Sequence, residues 1–264
     1  MKLKIGIFDS GIGGFTILNP LLKTVKEVEV VYLADTKRIP FGNKSFKEIR
    51  NIAKEVCTFF EDKNLDALLV ACNTTNACAL DILENSLRIP CFDLINSVSE
   101  CVTKPIVGVL ATQTTVKSSY YKIAMSSKKQ NLKIFQQECP EFVLEIEKEK
   151  LNFDKLNYLS DLYLKPLISK NIEELILGCS HYPLIYDFLR KKINSDIKII
   201  DPAEALIKKF NESFSIPKTY GYESLSFETV KFFVTSERDE FSKKVKFWLG
   251  INKEIRLVNL RSNV

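Results

Sequence analysis

Residues 67–74, Ala-Leu-Leu-Val-Ala-Cys-Asn-Thr, form a short apolar run that ends in a cysteine and two polar residues. Residues 174–181, Glu-Leu-Ile-Leu-Gly-Cys-Ser-His, repeat this pattern 107 residues later. A short apolar run bounded by polar residues is typical of a buried β-strand. The pattern therefore predicts two equivalent strands, each with a cysteine, Cys72 or Cys179, at its carboxyl end.

A second pair of apolar runs indicates that the chain is internally duplicated. Residues 4–10, Lys-Ile-Gly-Ile-Phe-Asp-Ser, and residues 106–112, Ile-Val-Gly-Val-Leu-Ala-Thr, are separated by 102 residues. Because the two offsets are nearly equal, we infer that two similar halves face each other. Each half would then present one cysteine to a common cleft.

Strand-like runs alternate with helical patterns along the chain. Residues 15–25 and 46–60 carry apolar side chains at helical spacing, and residues 28–33 form a β-branched run between them. Such alternation is typical of parallel sheets with helices on both faces. The sequence therefore predicts an α/β fold of two similar doubly wound parallel-sheet domains, related by a pseudo-twofold duplication, with the active site in the cleft between them.

The length of 264 residues suits about two domains. We expect residues 1–97 plus 211–264 to form the first domain, because the duplicated unit ends near residue 205 and the tail would pack back on the first half. Residues 98–210 would form the second domain. The candidate site residues are divided between them: Asp9 and Cys72 lie in the first, and Glu147, Cys179 and His181 in the second.

The composition excludes several kinds of partner. The net charge of +5 is modest and no basic stretch is interleaved with aromatic residues, so we expect no nucleic-acid partner. The chain has neither a signal segment nor an apolar run near the roughly 18 residues of a membrane span, so we expect a cytoplasmic protein without a membrane partner. Seven cysteines without CxxC spacing indicate reduced thiols.

The two cysteines lie where doubly wound sheets bind ligands, at the carboxyl ends of strands. Asn73 after Cys72 is a good helix N-cap, and Pro183 after Cys179 suits a first helical turn. Because a helix N-terminus lowers the pKa of a thiol, we expect accessible thiolates here. We therefore interpret both cysteines as reactive rather than as merely buried.

The histidine His181, the only one in the chain, lies two residues after Cys179 and admits several interpretations. It could be structural, or it could form a metal site with Cys72 and Cys179, although Cys-x-His is not a usual zinc spacing. It could also be the base of a cysteine hydrolase. A redox dithiol is a further alternative, although its usual CxxC pattern is absent.

Residues 9–14, Asp-Ser-Gly-Ile-Gly-Gly, resemble a nucleotide-binding loop, and Asp35 lies near the expected acidic position. The pattern fails at Thr16, where a dinucleotide fingerprint requires glycine or alanine. The carboxylate of Asp9 would also repel a pyrophosphate. We therefore interpret Asp9 as a cleft residue and the glycines as a tight turn.

Taken together, these motifs resemble the glutamate racemase family of the cofactor-independent aspartate/glutamate racemase superfamily. The resemblance covers nearly the whole chain in family order and is carried by residues 8–14, 32–42, 71–74, 112–116, 139–147, 177–183 and 201–205. Among the departures, Phe41 replaces a tyrosine and Ser180 replaces a threonine.

The resemblance implies racemisation of glutamate without cofactor or metal. One cysteine would remove the Cα proton while the other supplies a proton to the opposite face. Cys72 would serve D-glutamate with help from Asp9, and Cys179 would serve L-glutamate with help from His181 and Glu147. The substrate-binding residues that the resemblance implies are Asp9, Ser10, Phe41, Gly42, Asn73, Thr74, Thr115, Ser180 and His181.

The resemblance also implies a biological role and an assembly. The enzyme would supply D-glutamate for peptidoglycan in the cytoplasm, as a homodimer. Some relatives carry an N-terminal extension linked to activation by a cell-wall precursor; because the first strand begins almost at Met1, we expect no such control. A related two-cysteine enzyme acting on aspartate or a hydantoin, and a non-catalytic glutamate-binding protein, remain alternatives.

Overall fold

The computed structural model describes residues 2–217 and 226–261, and within them the strands form two sheets. The strands, in chain order, are β1 (Leu3–Asp9), β2 (Val28–Ala34), β3 (Ala67–Val70), β4 (Cys91–Asp93), β5 (Ile106–Ala111), β6 (Lys133–Glu138), β7 (Glu174–Gly178), β8 (Lys198–Ile200), β9 (Val230–Val234) and β10 (Ile255–Leu257).

The helices lie between these strands. In chain order they are α1 (Phe15–Thr24), α2 (Phe46–Glu61), α3 (Asn73–Ser86), α4 (Leu94–Ser99), α5 (Gln113–Ser118), α6 (Tyr120–Ser126), α7 (Phe142–Ile146), α8 (Phe153–Ile168), α9 (Tyr186–Arg190), α10 (Pro202–Ser213) and α11 (Arg238–Leu249). Short 3₁₀ turns cover Thr36–Arg38, Phe41–Asn43 and Tyr182–Ile185.

The strand orders show the duplication directly. The first sheet runs β10-β9-β2-β1-β3-β4 and the second runs β6-β5-β7-β8, so the core order β2-β1-β3-β4 is repeated in the second sheet. Every pair of neighbouring strands is parallel. The predicted fold class of two parallel-sheet α/β units is therefore confirmed. We call the first sheet with its strand-end loops the first lobe, and the second sheet with its loops the second lobe.

Helix α2 illustrates why the sequence folds this way locally. Ser45 caps its first turn by accepting a hydrogen bond from Glu48 N, while the Glu48 carboxylate accepts from Ser45 N, a reciprocal pair that satisfies two free donors. One face of the helix is buried against the first sheet, because apolar residues recur at helical spacing. The buried residues are Ile49, Ile52, Ala53, Val56, Cys57 and Phe60.

The register of the strands brings the candidate residues to one edge of each sheet. Phe8 in β1 pairs with Val70 in β3, so Asp9 and Cys72 leave the first sheet side by side. Ala111 in β5 pairs with Gly178 in β7 in the second sheet. Since carboxyl ends of parallel strands share one edge, each lobe carries its cysteine on the ligand-binding edge.

Two helices were not expected from the sequence pattern. The apolar run at residues 90–95 predicts a short strand, but only Cys91–Asp93 forms one, because the Asp93 side chain accepts a hydrogen bond from Asn96 N and starts α4. The equivalent Asp201 accepts from Ala203 N and starts α10, which the sequence pattern missed. Polar capping by Asp93 ended β4 sooner than its apolar content indicated, whereas β8 ends at Ile200 and Asp201 only starts the helix after it.

The sequence pattern predicts a helix over residues 141–150, but the helix formed there is limited to α7, Phe142–Ile146. The carboxylate of Glu145 accepts a hydrogen bond from Asn152 N, and Asn152 in turn caps α8. This turn closes the chain before a longer helix can form. It leaves Glu147 outside the helix, where its side chain is free to reach another element.

The strands of the two predicted domains separate into the two sheets, but the domain limits themselves stay a prediction. The boundary at residue 210 falls inside α10, which packs on both α1 and α4. No helix in residues 2–217 and 226–261 is long and apolar enough to cross a bilayer.

A buried carboxylate aligns β7 with the loop that precedes β5. Glu174 is fully buried and accepts hydrogen bonds from Thr103 N at 2.9 Å, Thr103 Oγ1 at 2.6 Å and Lys104 N at 3.2 Å.

We expect Glu174→Ala to lower the free energy of unfolding by roughly 3 kcal/mol, because buried donors lose a charged acceptor. Denaturant unfolding measures this change, with Glu173→Ala as the control. Equal free energies of unfolding for the two variants would contradict the expectation.

Candidate active site

The residues at the strand ends converge between the two lobes and are almost completely enclosed. Asp9 is 0% exposed, Cys72 4%, Cys179 5% and His181 1%. Electrostatic effects are strong in such a site because little water screens the charges. The chemistry of each cysteine is therefore decided by the groups that contact it.

Cys72 lies at the N-terminus of α3, as the sequence indicated, but the N-cap position is Cys72 itself rather than Asn73. Burial, together with the charge of Asp9, nevertheless raises the pKa of the Cys72 thiol to about 12. The expectation that a helix N-terminus lowers this pKa is wrong for this enclosed form, since desolvation of the thiolate outweighs the helix dipole. Cys72 is therefore a neutral thiol here.

Cys179 is connected to a chain of polar groups. Its Sγ lies 3.9 Å from His181 Nδ1, and His181 Nε2 lies 2.6 Å from Glu147 Oε1. Burial disfavours charge on His181, but the hydrogen bonds to Cys179 and Glu147 outweigh burial and raise the pKa of the imidazole well above its ordinary value. A protonated His181 can donate to Glu147 and to a thiolate at Cys179 together.

Glu147 is a carboxylate in this arrangement. Burial opposes its charge, yet the hydrogen bond and charge of His181 and the ammonium of Lys244 lower the pKa of Glu147 to about 2. Its Oε1 also accepts a hydrogen bond from Ile12 N at 3.1 Å. The predicted grouping of Glu147, His181 and Cys179 is thus present as one connected set.

Direct hydrogen bonds join the two lobes at the site. Ser180 Oγ donates to Asp9 Oδ1 at 2.8 Å, while Asp9 Oδ2 accepts from Gly11 N at 2.9 Å. Thr16 Oγ1 lies 3.3 Å from the carbonyl oxygen of Ser180. Asp9 therefore contacts the Cys179 side as well as lying beside Cys72.

The glycines of residues 9–14 are explained by space rather than by turn conformation. A Cβ at Gly11 would overlap the Glu147 carboxylate, and a Cβ at Gly13 would overlap Ser180 Oγ and His181 Nδ1. Neither glycine has the positive φ that favours glycine for conformational reasons. Gly11 and Gly13 are needed because the second lobe lies directly against this turn, and Gly14 because Tyr32 of β2 does.

Three hydroxyls meet at the opposite side of the site. Thr74 Oγ1 lies 3.0 Å from Thr112 Oγ1, and Thr112 Oγ1 lies 2.9 Å from Thr115 Oγ1. Gly42 packs on Thr112, where a Cβ would approach to 2.5 Å, and its carbonyl oxygen accepts from Thr114 Oγ1 at 2.8 Å. The predicted residues Thr74, Thr115 and Gly42 are therefore brought together.

The remaining predicted residues lie around this group. Asn73 Oδ1 accepts a hydrogen bond from Tyr121 OH at 2.6 Å. Ser10 is buried directly after β1, and Phe41 is buried with its ring 6.3 Å from that of Phe8. No set of three His, Cys, Asp or Glu side chains that could hold a metal ion occurs in the described part of the chain.

Sequence reasoning missed four groups that contact the site: Thr112, Tyr121, the backbone N–H of Ile12, and Lys244. Thr112 could have been found, since the duplication makes the end of β5 equivalent to the end of β1. Tyr121 and Lys244 carried no such signal, because a tyrosine or lysine on a helix is ordinary. Their roles arise only from the packing of distant segments.

A family model, related sequences and solved structures that resemble this chain are all racemases. A family model described as Asp/Glu/Hydantoin racemase matches residues 17–210. A glutamate racemase of Prochlorococcus marinus (strain NATL1A) is 46% identical over 260 residues, covering 98% of each chain. The structure of glutamate racemase from Francisella tularensis in complex with D-glutamate matches at a TM-score of 0.85, with 31% identity and 99% of each chain covered. The structure of a glutamate racemase isoform from Bacillus anthracis matches at a TM-score of 0.86, with 29% identity and 98% of each chain covered.

The raised pKa of His181 leads to a direct spectroscopic prediction. We expect Glu147→Gln to lower the pKa of His181, because a neutral amide no longer favours the imidazolium. ¹⁵N NMR titration of histidine-labelled protein gives one signal set, since the chain has one histidine. Glu149→Gln is the control, as Glu149 is exposed and pairs with Lys243 instead. Identical titration midpoints in wild type and Glu147→Gln would contradict the assignment.

The same shift fixes how stability depends on pH. The pKa of His181 in the folded protein lies above its unfolded value of about 6.5. The ion pair of His181 with Glu147 therefore contributes its full stabilisation below about pH 6.5. The contribution is lost as the pH rises through the folded-state pKa. We expect the stability difference between wild type and Glu147→Gln to shrink over that range, as measured by thermal melts at a series of pH values.

Proposed function

The chain belongs to the Asp/Glu/Hydantoin racemase family, and from this premise we propose that it interconverts L- and D-glutamate without a cofactor, with Cys72 and Cys179 as the two acid–base groups. The observation that carries the proposal is the unlike environment of the two thiols. A two-base racemase needs one thiolate and one thiol at the start of each turnover.

The Cys179 side offers hydrogen-bond donors to a thiolate. A protonated His181 at 3.9 Å can donate to a Cys179 thiolate, and Glu147 sustains the charge on His181. The Cys72 side favours the neutral form, because burial and Asp9 raise the pKa of that thiol to about 12. The enclosed site is therefore prepared for deprotonation by Cys179 and protonation by Cys72.

The proposed reaction transfers one proton on each face. The Cys179 thiolate takes the Cα proton of L-glutamate and becomes a thiol, and Cys72 gives its thiol proton to the opposite face and becomes a thiolate. The product is D-glutamate, and the two cysteines have exchanged protonation states. Asp9 beside Cys72 and His181 beside Cys179 are placed to return each sulfur to its starting state. The assignment of Cys179 to the L face rests on the family resemblance.

A side-chain donor next to Cys72 has free hydrogen-bonding capacity. Within the described residues, Asn73 Nδ2 is buried without a hydrogen-bond partner. Buried donors of this kind are costly unless a ligand satisfies them. We propose that Asn73, with Ser10, Thr74, Thr115 and Ser180 and the Phe41–Gly42 backbone, holds the carboxylates and ammonium of glutamate.

The substrate has to reach a site that is closed in this form. Entry requires the two lobes to separate where Ser180 contacts Asp9 and where the glycine turn of residues 9–14 contacts the second lobe. Closure then excludes water, which would otherwise protonate the carbanion-like species at Cα on either face. Enclosure also strengthens the hydrogen bonds that stabilise this species.

Other functions account for fewer of these contacts. A cysteine hydrolase would use Cys179 and His181 but would leave Cys72 and Asp9 without a role. Racemases that act on aspartate or a hydantoin would use the same cysteines, and comparing turnover of L-glutamate with L-aspartate separates them. A non-catalytic binding protein would bind glutamate without converting it.

We propose the wider role that the family resemblance implied: a homodimer in the cytoplasm that supplies D-glutamate for peptidoglycan. Support comes from the relatives' shared identity as glutamate racemases. Growth of a bacterial strain that requires D-glutamate, when it expresses this chain, tests the role. Growth without added D-glutamate would support it, and failure with active soluble enzyme present would contradict it.

The two-cysteine mechanism predicts the effect of removing either thiol. We expect Cys72→Ser and Cys179→Ser each to lower kcat/KM for racemisation about 100-fold or more, because a hydroxyl is a far poorer base near neutral pH. Circular dichroism of L-glutamate solutions, with no cofactor added, measures the rate. Cys101→Ser is the control, because Cys101 lies in the turn after α4 and contacts Ser97 rather than the site.

Two results would overturn the mechanism. Near-normal racemisation by either serine variant would show that one cysteine suffices. Racemisation that depends strictly on added pyridoxal phosphate or a metal ion would show that the cysteines do not carry the proton transfer alone.

A further inference from the structure

A lysine from the C-terminal part of the chain reaches the polar groups beside Cys179. Lys244 Nζ lies 2.7 Å from Glu147 Oε2, whose other oxygen, Oε1, contacts His181. The side chain of Lys244 is 17% exposed and that of Glu147 is 9% exposed. The ion pair is therefore shielded from water, unlike a typical surface pair.

The helix that carries Lys244 is fixed to the first lobe. Phe241 and Val245 of α11 are buried, and the ring of Phe241 lies 5.7 Å from Phe15 and 6.2 Å from Phe232. Glu147, in contrast, follows α7 in the second lobe. Lys244 thus extends from a helix that packs on the first lobe and contacts a carboxylate of the second lobe.

Each oxygen of Glu147 has a separate task. Oε1 accepts from Ile12 N and faces His181 Nε2, while Oε2 is occupied by Lys244. A carboxylate held at both oxygens cannot rotate away from the imidazole. The resulting series Lys244, Glu147, His181, Cys179 alternates in charge when Cys179 is a thiolate, so each member stabilises the next.

We propose that Lys244 is a positioning residue for the Cys179 side of the reaction: it orients Glu147 towards His181 and so assists proton transfer at Cys179, but not at Cys72. The inference rests on the proposed two-cysteine function. It extends that function to a residue far along the chain, which joins the relay only when the two lobes are in contact.

The test needs a reaction that uses one cysteine at a time, because overall racemisation involves both. A 3-chloro analogue of glutamate provides it: a cysteine thiolate removes the Cα proton, chloride leaves from Cβ, and the resulting enamine hydrolyses to ammonium and a 2-oxo acid. The Cys179→Ala variant identifies which enantiomer of the analogue depends on Cys179. No assumption about the two faces is then needed.

We expect Lys244→Met to slow elimination from the Cys179-dependent enantiomer about tenfold or more, because misplacing a supporting group slows an oriented proton transfer. Elimination from the other enantiomer should change less than twofold, which also shows that the variant is folded. Lys244→Arg, which keeps the cation, should restore at least part of the rate. Lys243→Met is the matched control, since Lys243, the exposed neighbour of Lys244, pairs with Glu149 instead of Glu147.

The possible outcomes distinguish the role of Lys244 from the proposed function itself. Equal slowing of both enantiomers in Lys244→Met, or no slowing relative to Lys243→Met, overturns the positioning role. If wild type racemises glutamate while Lys244→Met behaves like the control, only this inference fails. If wild type neither racemises glutamate nor eliminates chloride from either analogue, the proposed function itself fails.

Discussion

The close approach of the two lobes at Asp9 and Ser180 is the constraint on which the rest of the site depends. Their side chains are joined by a 2.8 Å hydrogen bond, and the neighbouring Gly13 leaves no room for a side chain between the lobes. This approach encloses both cysteines and brings Ile12 N to Glu147. A site assembled from two lobes in this way is complete only while they are together.

Enclosure has opposite consequences for the two sulfurs. For Cys72 it raises the pKa of the thiol, because burial disfavours the thiolate and Asp9 adds a like charge. For Cys179 the same low-dielectric surroundings strengthen the hydrogen bonds of His181 and Glu147, which favour an imidazolium beside the sulfur. A duplicated fold thus supplies two equivalent thiols with unlike neighbours: a carboxylate, Asp9, beside Cys72 and an imidazole, His181, beside Cys179.

Much of this could be predicted from the sequence because it follows from local patterns. The matched runs ending at Cys72 and Cys179 indicated the duplication, and the strand orders of both sheets repeat accordingly. The end of the predicted strand at Asp93 and the helix that follows it were missed because a capping side chain, not apolar content, sets that boundary. The raised pKa of Cys72 and the contact of Lys244 with Glu147 depend on packing between distant segments, for which the sequence offers no periodic signal.

Racemisation of L-glutamate in D₂O tests the central claim most directly, namely that separate groups on two faces remove and supply the proton. A thiol exchanges its proton with solvent before it reacts, so a proton supplied by the second cysteine is solvent-derived. The account predicts that D-glutamate formed early in the reaction carries one deuterium at Cα, as read by mass spectrometry or proton NMR. Early D-glutamate that retains the original Cα proton would show that one group carries it from face to face and would contradict the account.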